Sequence, residues 1–195
     1  MPECRAVDTP PTRYVRSGDV HIAYQVVDTG GPITIVGLPP IVSNIEVGWE
    51  NPYVARSIRR LAQLGRFVHF DKRGQGMSDR DPGVPTIDQR VEDLAAVMDT
   101  IGVERAVLAG ISEGGSTAAM FAATHPERVS HLLLYGVFAA LHENAGYPPG
   151  TTPAAVEMYF RHWAANWATP DSLTVRRVCP IGIELGQVSV DWVNR

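Results

Sequence analysis

Ala106-Val107-Leu108-Ala109-Gly110-Ile111-Ser112-Glu113-Gly114-Gly115 is an apolar run that ends in the pattern G-x-S-x-G, and a helix-compatible run of small residues, Ser116 to Ala123, follows it. The order predicts a strand, a tight turn and a helix, with Ser112 at the apex of the turn. A serine hydroxyl is a poor nucleophile unless it is held clear of its own backbone, near a base, with amide N–H groups aimed at the developing oxyanion. A sharp strand-to-helix turn does the presenting. Side chains at positions 110 and 114 would collide with the neighbouring strand and helix, so glycine at both is what the geometry demands. The plainer alternative is that Ser112 is an ordinary N-cap of the helix that follows.

Working outward, the chain reads as an alternation of strands and helices. Tyr14-Val15-Arg16 and Val20 to Val27 flank the turn signal Ser17-Gly18-Asp19 and predict a β-hairpin. Ile33 to Leu38 is a short continuous apolar run, as expected of a strand buried on both faces of a parallel sheet. Pro52 to Leu64 has helical spacing, with Gly65 placed to terminate it, and Arg66 to Phe70 returns as a strand. Thr86 to Gln89 forms a capping box for a helix whose apolar positions run from Ile87 to Ile101, and Gly102 ends it. Val129 to Gly136 is one more strand. Beyond Phe138 the character changes: Pro148-Pro149-Gly150 and Pro153 mark a loop, Ala154 to Trp167 is an aromatic-bearing helix, and Leu173 to Arg195 has no clear period. Alternating strands and helices define an α/β chain with a doubly wound sheet.

Composition narrows the function classes. The 195 residues are 45% hydrophobic, enough to bury a substantial core in one domain. The formal charge of -4 carries no basic block, so nucleic acid is not an expected partner. The two cysteines, Cys4 and Cys179, lie far apart and form no metal or redox motif. Met1 to Thr12 lacks the basic and apolar regions of a secretory signal, and no apolar run approaches the ~20 residues of a membrane span. A cytoplasmic protein without membrane association, metal or organic cofactor is the expectation.

Three stretches together, Ile33 to Asn44, Asp71-x-Arg73-Gly74-x-Gly76-x-Ser78 and Gly110-x-Ser112-x-Gly114-Gly115, resemble the α/β-hydrolase superfamily over roughly residues 12–140. The wording Ile22-Ala23-Tyr24-Gln25-Val26, Phe70-Asp71-Lys72-Arg73-Gly74 and Ser112-Glu113-Gly114-Gly115 is similar to bacterial hydrolase-like domains often fused to adenylate cyclase or regulator domains. The resemblance implies a mostly parallel doubly wound sheet, with a hydrolase core at 12–138 and a partial helical cap and unassigned tail at 139–195. It implies that Ser112 is the nucleophile of an esterase-like serine hydrolase acting on a small acyl substrate, and that the Glu113 N–H is one oxyanion donor. The second donor comes from the loop after the Ile33–Leu38 strand, where the family usually has a glycine and this chain has Pro40. Proline donates no N–H, so that role passes to Ile41 on an altered loop path. Asp71, Arg73 and Asp79 read as scaffold that satisfies a turn-rich loop. Dehalogenases of this fold carry Asp where Ser112 stands, which disfavours that class.

The triad's other members are not identified. In this fold the order is serine, acid, histidine. The last histidine is His162, which excludes Asp171, Glu184 and Asp191 and leaves Glu113, Glu127, Glu143 and Glu157 as acids, none of them just after a convincing strand. His21 and His69 read as packing or edge residues, and His125 and His131 fall away from the strands' carboxyl ends. His142 and His162 fall in the cap. Only 83 residues follow the serine, so the expectation is a chain truncated within or just after its cap, missing the final strands. The strand at Val129 to Gly136 then becomes an open sheet edge, to be covered by the tail (175–178 or 187–190) or by self-association. The competing expectation is a non-catalytic hydrolase-like module that binds a small apolar ligand or serves in regulation.

Overall fold

The computed structural model describes residues 9–80, 83–140, 143 and 150–166. Cys4, His142, Trp167, Asp171, Cys179, Glu184, Asp191 and the segments 175–178 and 187–190 lie outside the described residues. The chain divides into two compact units, Met1–Val137 and Phe138–Arg195.

The first unit is built on six strands: β1 (Arg13–Ser17), β2 (Val20–Val27), β3 (Ile33–Leu38), β4 (Gly65–Phe70), β5 (Ala106–Ile111) and β6 (Val129–Tyr135). Their order across the sheet is β1-β2-β4-β3-β5-β6. The hairpin β1–β2 is antiparallel, as its turn signal predicts, and β2 runs antiparallel to β4. The pairs β3–β4, β3–β5 and β5–β6 are parallel, each needing a crossover. Helix α1 (Pro52–Ala62) supplies the crossover from β3 to β4, α2 (Ile87–Thr100) that from β4 to β5, and α3 (Glu113–Thr124) that from β5 to β6.

Alternation along the strands divides the core between the two faces. Val36, Leu38, Val68, Phe70 and Leu108 join Leu94 and Met98 of α2 and Ala118 and Phe121 of α3 on one face. Ile35, Phe67 and Val107 join Ile58 and Ala62 of α1 on the other. Burial of each of the larger of these side chains is worth about 1.5–3 kcal/mol, which is what holds the amphipathic helices against the sheet.

Local signals act as the sequence implies at most termini. Thr86 caps α2 in a reciprocal capping box with Gln89, and Asn51 caps α1 through the N–H groups of Tyr53 and Val54. Gly65 departs from expectation. It does not stop α1, which ends at Ala62, but opens β4; a Cβ there would lie 2.1 Å from the Ile33 carbonyl oxygen, so the glycine serves close strand approach.

β6 closes one side of the sheet. Among the described residues nothing pairs with its outer edge, and Leu133 and Tyr135 are 52% and 78% exposed. In the second unit, α4 spans Pro153–Ala165. Its cap is Thr152, whose hydroxyl accepts from the Ala155 N–H, and Pro153 is its first residue rather than part of the preceding loop. The missing proline N–H is one that no helix start uses. No helix among the described residues is long and apolar enough to cross a membrane.

Candidate active site

Ser112 occupies the N-cap position of α3 with φ 51° and ψ -121°, and its side chain makes no capping hydrogen bond. The ordinary N-cap has extended backbone and an oxygen bound to an N–H of the first turn; Ser112 has neither. It is the one described residue other than glycine with positive φ, a conformation that costs on the order of 1–3 kcal/mol and persists only where the surroundings hold it. The Ser112 N–H donates to the Tyr135 carbonyl at 2.9 Å, and the Gly115 N–H donates to the Ser112 carbonyl at 3.1 Å. These tie the turn to β6 and to α3, and leave the half-buried hydroxyl without a hydrogen-bond partner among the described residues.

The glycines explain why the turn is so tight. A Cβ at Gly110 would meet the Gly115 Cα at 2.5 Å, and one at Gly114 would lie 2.4 Å from the Pro39 carbonyl oxygen and 2.5 Å from that of Leu38. The chain leaving β3 therefore presses on the start of α3. That contact brings Leu38 and Pro39 alongside the turn. The Ile41 carbonyl is held by the Gln75 side-chain amide.

Glu113, the residue after the serine, has both carboxylate oxygens occupied. Lys72 Nζ donates to Oε2 at 2.7 Å, and Arg90 Nη1 donates to Oε1. Burial raises the Glu113 pKa, but hydrogen bonds and charge from Lys72 and then Arg90 outweigh it and hold the carboxyl below its ordinary range. Lys72 is pushed below its ordinary value by burial, against the pull of Glu113.

The loop from Asp71 to Asp79 is spent on structure. Asp71 is fully buried, and its Oδ2 accepts from the N–H groups of Ile45 at 3.0 Å and Met77 at 2.9 Å; burial nevertheless raises its pKa. Arg73 makes a two-pronged contact with Asp93 of α2, Nε to Oδ2 at 2.8 Å and Nη2 to Oδ1 at 2.7 Å, both residues being buried. Asp79 accepts from the His21 backbone N–H at 2.8 Å and lies 3.1 Å from its Nδ1. The Ser78 hydroxyl joins the Asp71 carbonyl to the Ala23 N–H.

No described histidine of the first unit is placed to take a proton from Ser112. His21 is on β2, three strand spacings from β5, or about 14 Å. His69 is on β4, with its ring stacked on Phe67 at 5.5 Å and edge-on to Trp49 at 6.3 Å; burial lowers its pKa to about 4. His125 follows the last turn of α3, stacked on Phe121 at 4.7 Å, and that helix is about 18 Å long. His131 pairs in register with Val107, near the start of β5. Of the carboxylates, Glu127 lies in the short helical turn after α3, while Glu143, Glu157 and His162 belong to the second unit, where Glu157 pairs with Arg161. Among the described residues, no group of three or more His, Cys, Asp or Glu side chains is placed to hold a metal ion.

Lys72, Arg90 and Asp93 escape a reading by motif. Arg90, Asp93 and Val97 lie three and four residues apart, so they share one stripe of α2, and a charge of each sign on that stripe is the available signal.

A six-stranded mixed sheet with helices on both faces and a strained serine between β5 and α3 defines an α/β-hydrolase fold. Residues 51–179 match the family described as serine aminopeptidase, S33, and the chain belongs to that family. It is 30% identical over 126 residues to the putative carbamate hydrolase RutD of Azorhizobium caulinodans, covering 65% of this chain and 44% of the relative. It is 38% identical over 128 residues to the 2-hydroxy-6-oxononadienedioate/2-hydroxy-6-oxononatrienedioate hydrolase of Paraburkholderia phymatum, covering 63% of this chain and 42% of the relative. The chain thus spans less than half the length of these curated relatives. Among solved structures, Est816, described as an N-acyl homoserine lactone degrading enzyme, superposes with a TM-score of 0.67 at 27% identity, covering 94% of this chain and 66% of that one.

Proposed function

We propose that the chain carries the nucleophile half of a serine hydrolase that cleaves a small ester or related acyl substrate, with no metal or organic cofactor. The observation that carries this reading is Ser112 itself, held at positive φ between β5 and α3 with a hydroxyl that caps nothing. In the proposed step Ser112 Oγ adds to the substrate carbonyl carbon, its proton passing to a histidine. The carbonyl oxygen becomes an oxyanion that accepts from the Glu113 N–H and the Ile41 N–H. The leaving group departs with that proton, and water then hydrolyses the acyl-serine.

The relatives' printed names specify a carbamate, a 2-hydroxy-6-oxo dienedioate and an N-acyl homoserine lactone, all small carbonyl-bearing molecules, which supports a small-molecule substrate. The reading assigns neither the acid nor the histidine to a described residue of the first unit. It places the protein in the cytoplasm, and it takes the edge of β6, which no described residue pairs, as a surface through which copies self-associate, measurable by sedimentation.

A serine-directed fluorophosphonate tests the reading. Stoichiometric labelling that disappears in Ser112→Ala supports it, and an unlabelled wild-type protein defeats it. A second reading, a non-catalytic hydrolase-like module that binds a small apolar ligand, is favoured by one observation: among the described residues of the first unit no histidine reaches Ser112. Likeness of Ile22–Val26, Phe70–Gly74 and Ser112–Gly115 to cyclase-associated domains supports a regulatory role in that case.

A further inference from the structure

Two cations grip the residue next to the nucleophile, from two elements far away in sequence. Lys72 follows β4 and Arg90 lies on α2, 41 and 23 residues from Glu113. Their side chains are only 9% and 22% exposed, and that of Glu113 is 28% exposed. An ion pair this sheltered is poor evidence for stability, since desolvation offsets most of the attraction and apolar groups would pack as well or better. The contact therefore needs another explanation.

Its position supplies one. Glu113 begins α3, and the peptide joining it to Ser112 carries the first unpaired N–H of that helix, the group assigned above to the oxyanion. A cavity of about 10 Å³, room for one water, lies against Lys72, Arg90, Gly114 and Thr117. Beside that gap, the carboxylate held at both oxygens ties the first residue of α3 to the loop after β4 and to α2, adding to the backbone hydrogen bonds that hold the Ser112 turn.

We propose that Lys72 and Arg90 are positioning residues for the Ser112–Glu113 peptide, aiming its N–H at the developing oxyanion by holding the Glu113 carboxylate from two other elements. This rests on the acyl-transfer reading. A displacement of 1 Å at such a donor costs up to about a hundredfold in rate, whereas loss of a merely structural pair leaves the chemical step unchanged in protein that still folds.

The test is the kinetics of fluorophosphonate labelling, which separates the maximal rate of inactivation from probe affinity, on protein verified as folded by circular dichroism. Lys72→Met is expected to lower the maximal rate about tenfold to a hundredfold with affinity little changed, and Lys72→Arg to restore most of it. The triple variant Lys72→Met/Arg90→Gln/Glu113→Gln is expected to be no slower than Lys72→Met/Arg90→Gln, because all three residues act through the one carboxylate. The groups facing Lys72 are Glu113 of α3, Arg90 and Asp93 of α2, and Asp71 beside it. As pH rises and Lys72 loses its proton, the wild-type rate is expected to fall relative to that of Lys72→Arg, whose guanidinium stays charged. Should Lys72→Met not fold, the more exposed Arg90→Gln carries the test, with a smaller fall expected. A folded Lys72→Met or Arg90→Gln that labels at the wild-type rate overturns the proposal and leaves the hydrolase reading intact. A wild-type protein that does not label overturns both.

Discussion

The loop Asp71–Asp79 and the turn Gly110–Gly115 both follow parallel strands at the same end of the sheet, and both are rich in glycine and polar residues. Their use of those residues differs. In the loop, Asp71, Lys72, Arg73, Ser78 and Asp79 each have a hydrogen-bonded partner, and the buried oxygens left without one there are Asp71 Oδ1 and Gln75 Oε1. In the turn, Ser112 adopts a disfavoured backbone and its hydroxyl has no partner among the described residues. Satisfied polar groups build a scaffold, since an unpaired buried one costs about 1–3 kcal/mol. Strain together with a hydroxyl that no described residue binds is the arrangement on which the proposed nucleophile role rests.

The comparison can be broken most sharply at Ser112. Ser112→Ala is expected to abolish fluorophosphonate labelling completely while leaving the thermal unfolding midpoint near its original value. Residual labelling at another serine would move the nucleophile out of the turn.

The loop answers with stability instead. Asp93→Ala strands the buried Arg73 guanidinium and is expected to destabilise the protein by about 3–5 kcal/mol, measured by urea denaturation. An effect below about 1 kcal/mol would place this contact with exposed pairs rather than buried ones.

His69 tests the sheet between the two regions. Its folded pKa, about 4, lies below the ordinary 6.5 because burial disfavours the charged ring. The unfolded chain therefore takes up a proton before the folded one does. The neutral ring's contribution to stability is intact above pH 6.5 and falls as pH drops toward 4, by about 3 kcal/mol in all. His69→Phe is expected to flatten that slope in unfolding titrations. Glu113 has the opposite placement in pH: its depressed pKa means its contribution is intact above about 4.5 and lost only at more acid pH.

A gain is expected at the turn itself. Ser112→Gly removes the penalty of positive φ and is expected to stabilise the fold by about 1 kcal/mol, where Ser112→Ala does not. An equal response to both substitutions would mean the turn is not strained. Asp79→Asn, at the exposed end of the loop, is expected to change the midpoint least of all.

How far each region can be read from sequence follows the same division. The G-x-S-x-G turn is local: Gly110 and Gly114 sit where a Cβ would strike atoms of the turn itself or of the chain crossing it, and an apolar run before and a small-residue run after identify the pattern. The capping box at Thr86 and the β1–β2 hairpin are legible for the same reason. Gly65 reads in sequence as a helix stop and instead opens β4, because a glycine after a helical stretch carries no local sign that another strand presses on it. Lys72, Arg90 and Asp93 are adjacent to their partners only across elements, and no spacing rule joins residues 41 and 20 apart.

By itself, the sequence determined the alternation of strands and helices and the turn that presents Ser112, because steric demands at a sharp turn act between neighbours in the chain. Only the tertiary structure decided that Ser112 caps nothing, that Glu113 is held from two sides, and that Gly65 belongs to a strand. Those outcomes depend on the order β1-β2-β4-β3-β5-β6, which brings distant side chains together through crossovers, and periodicity along one element carries no information about which element lies beside it.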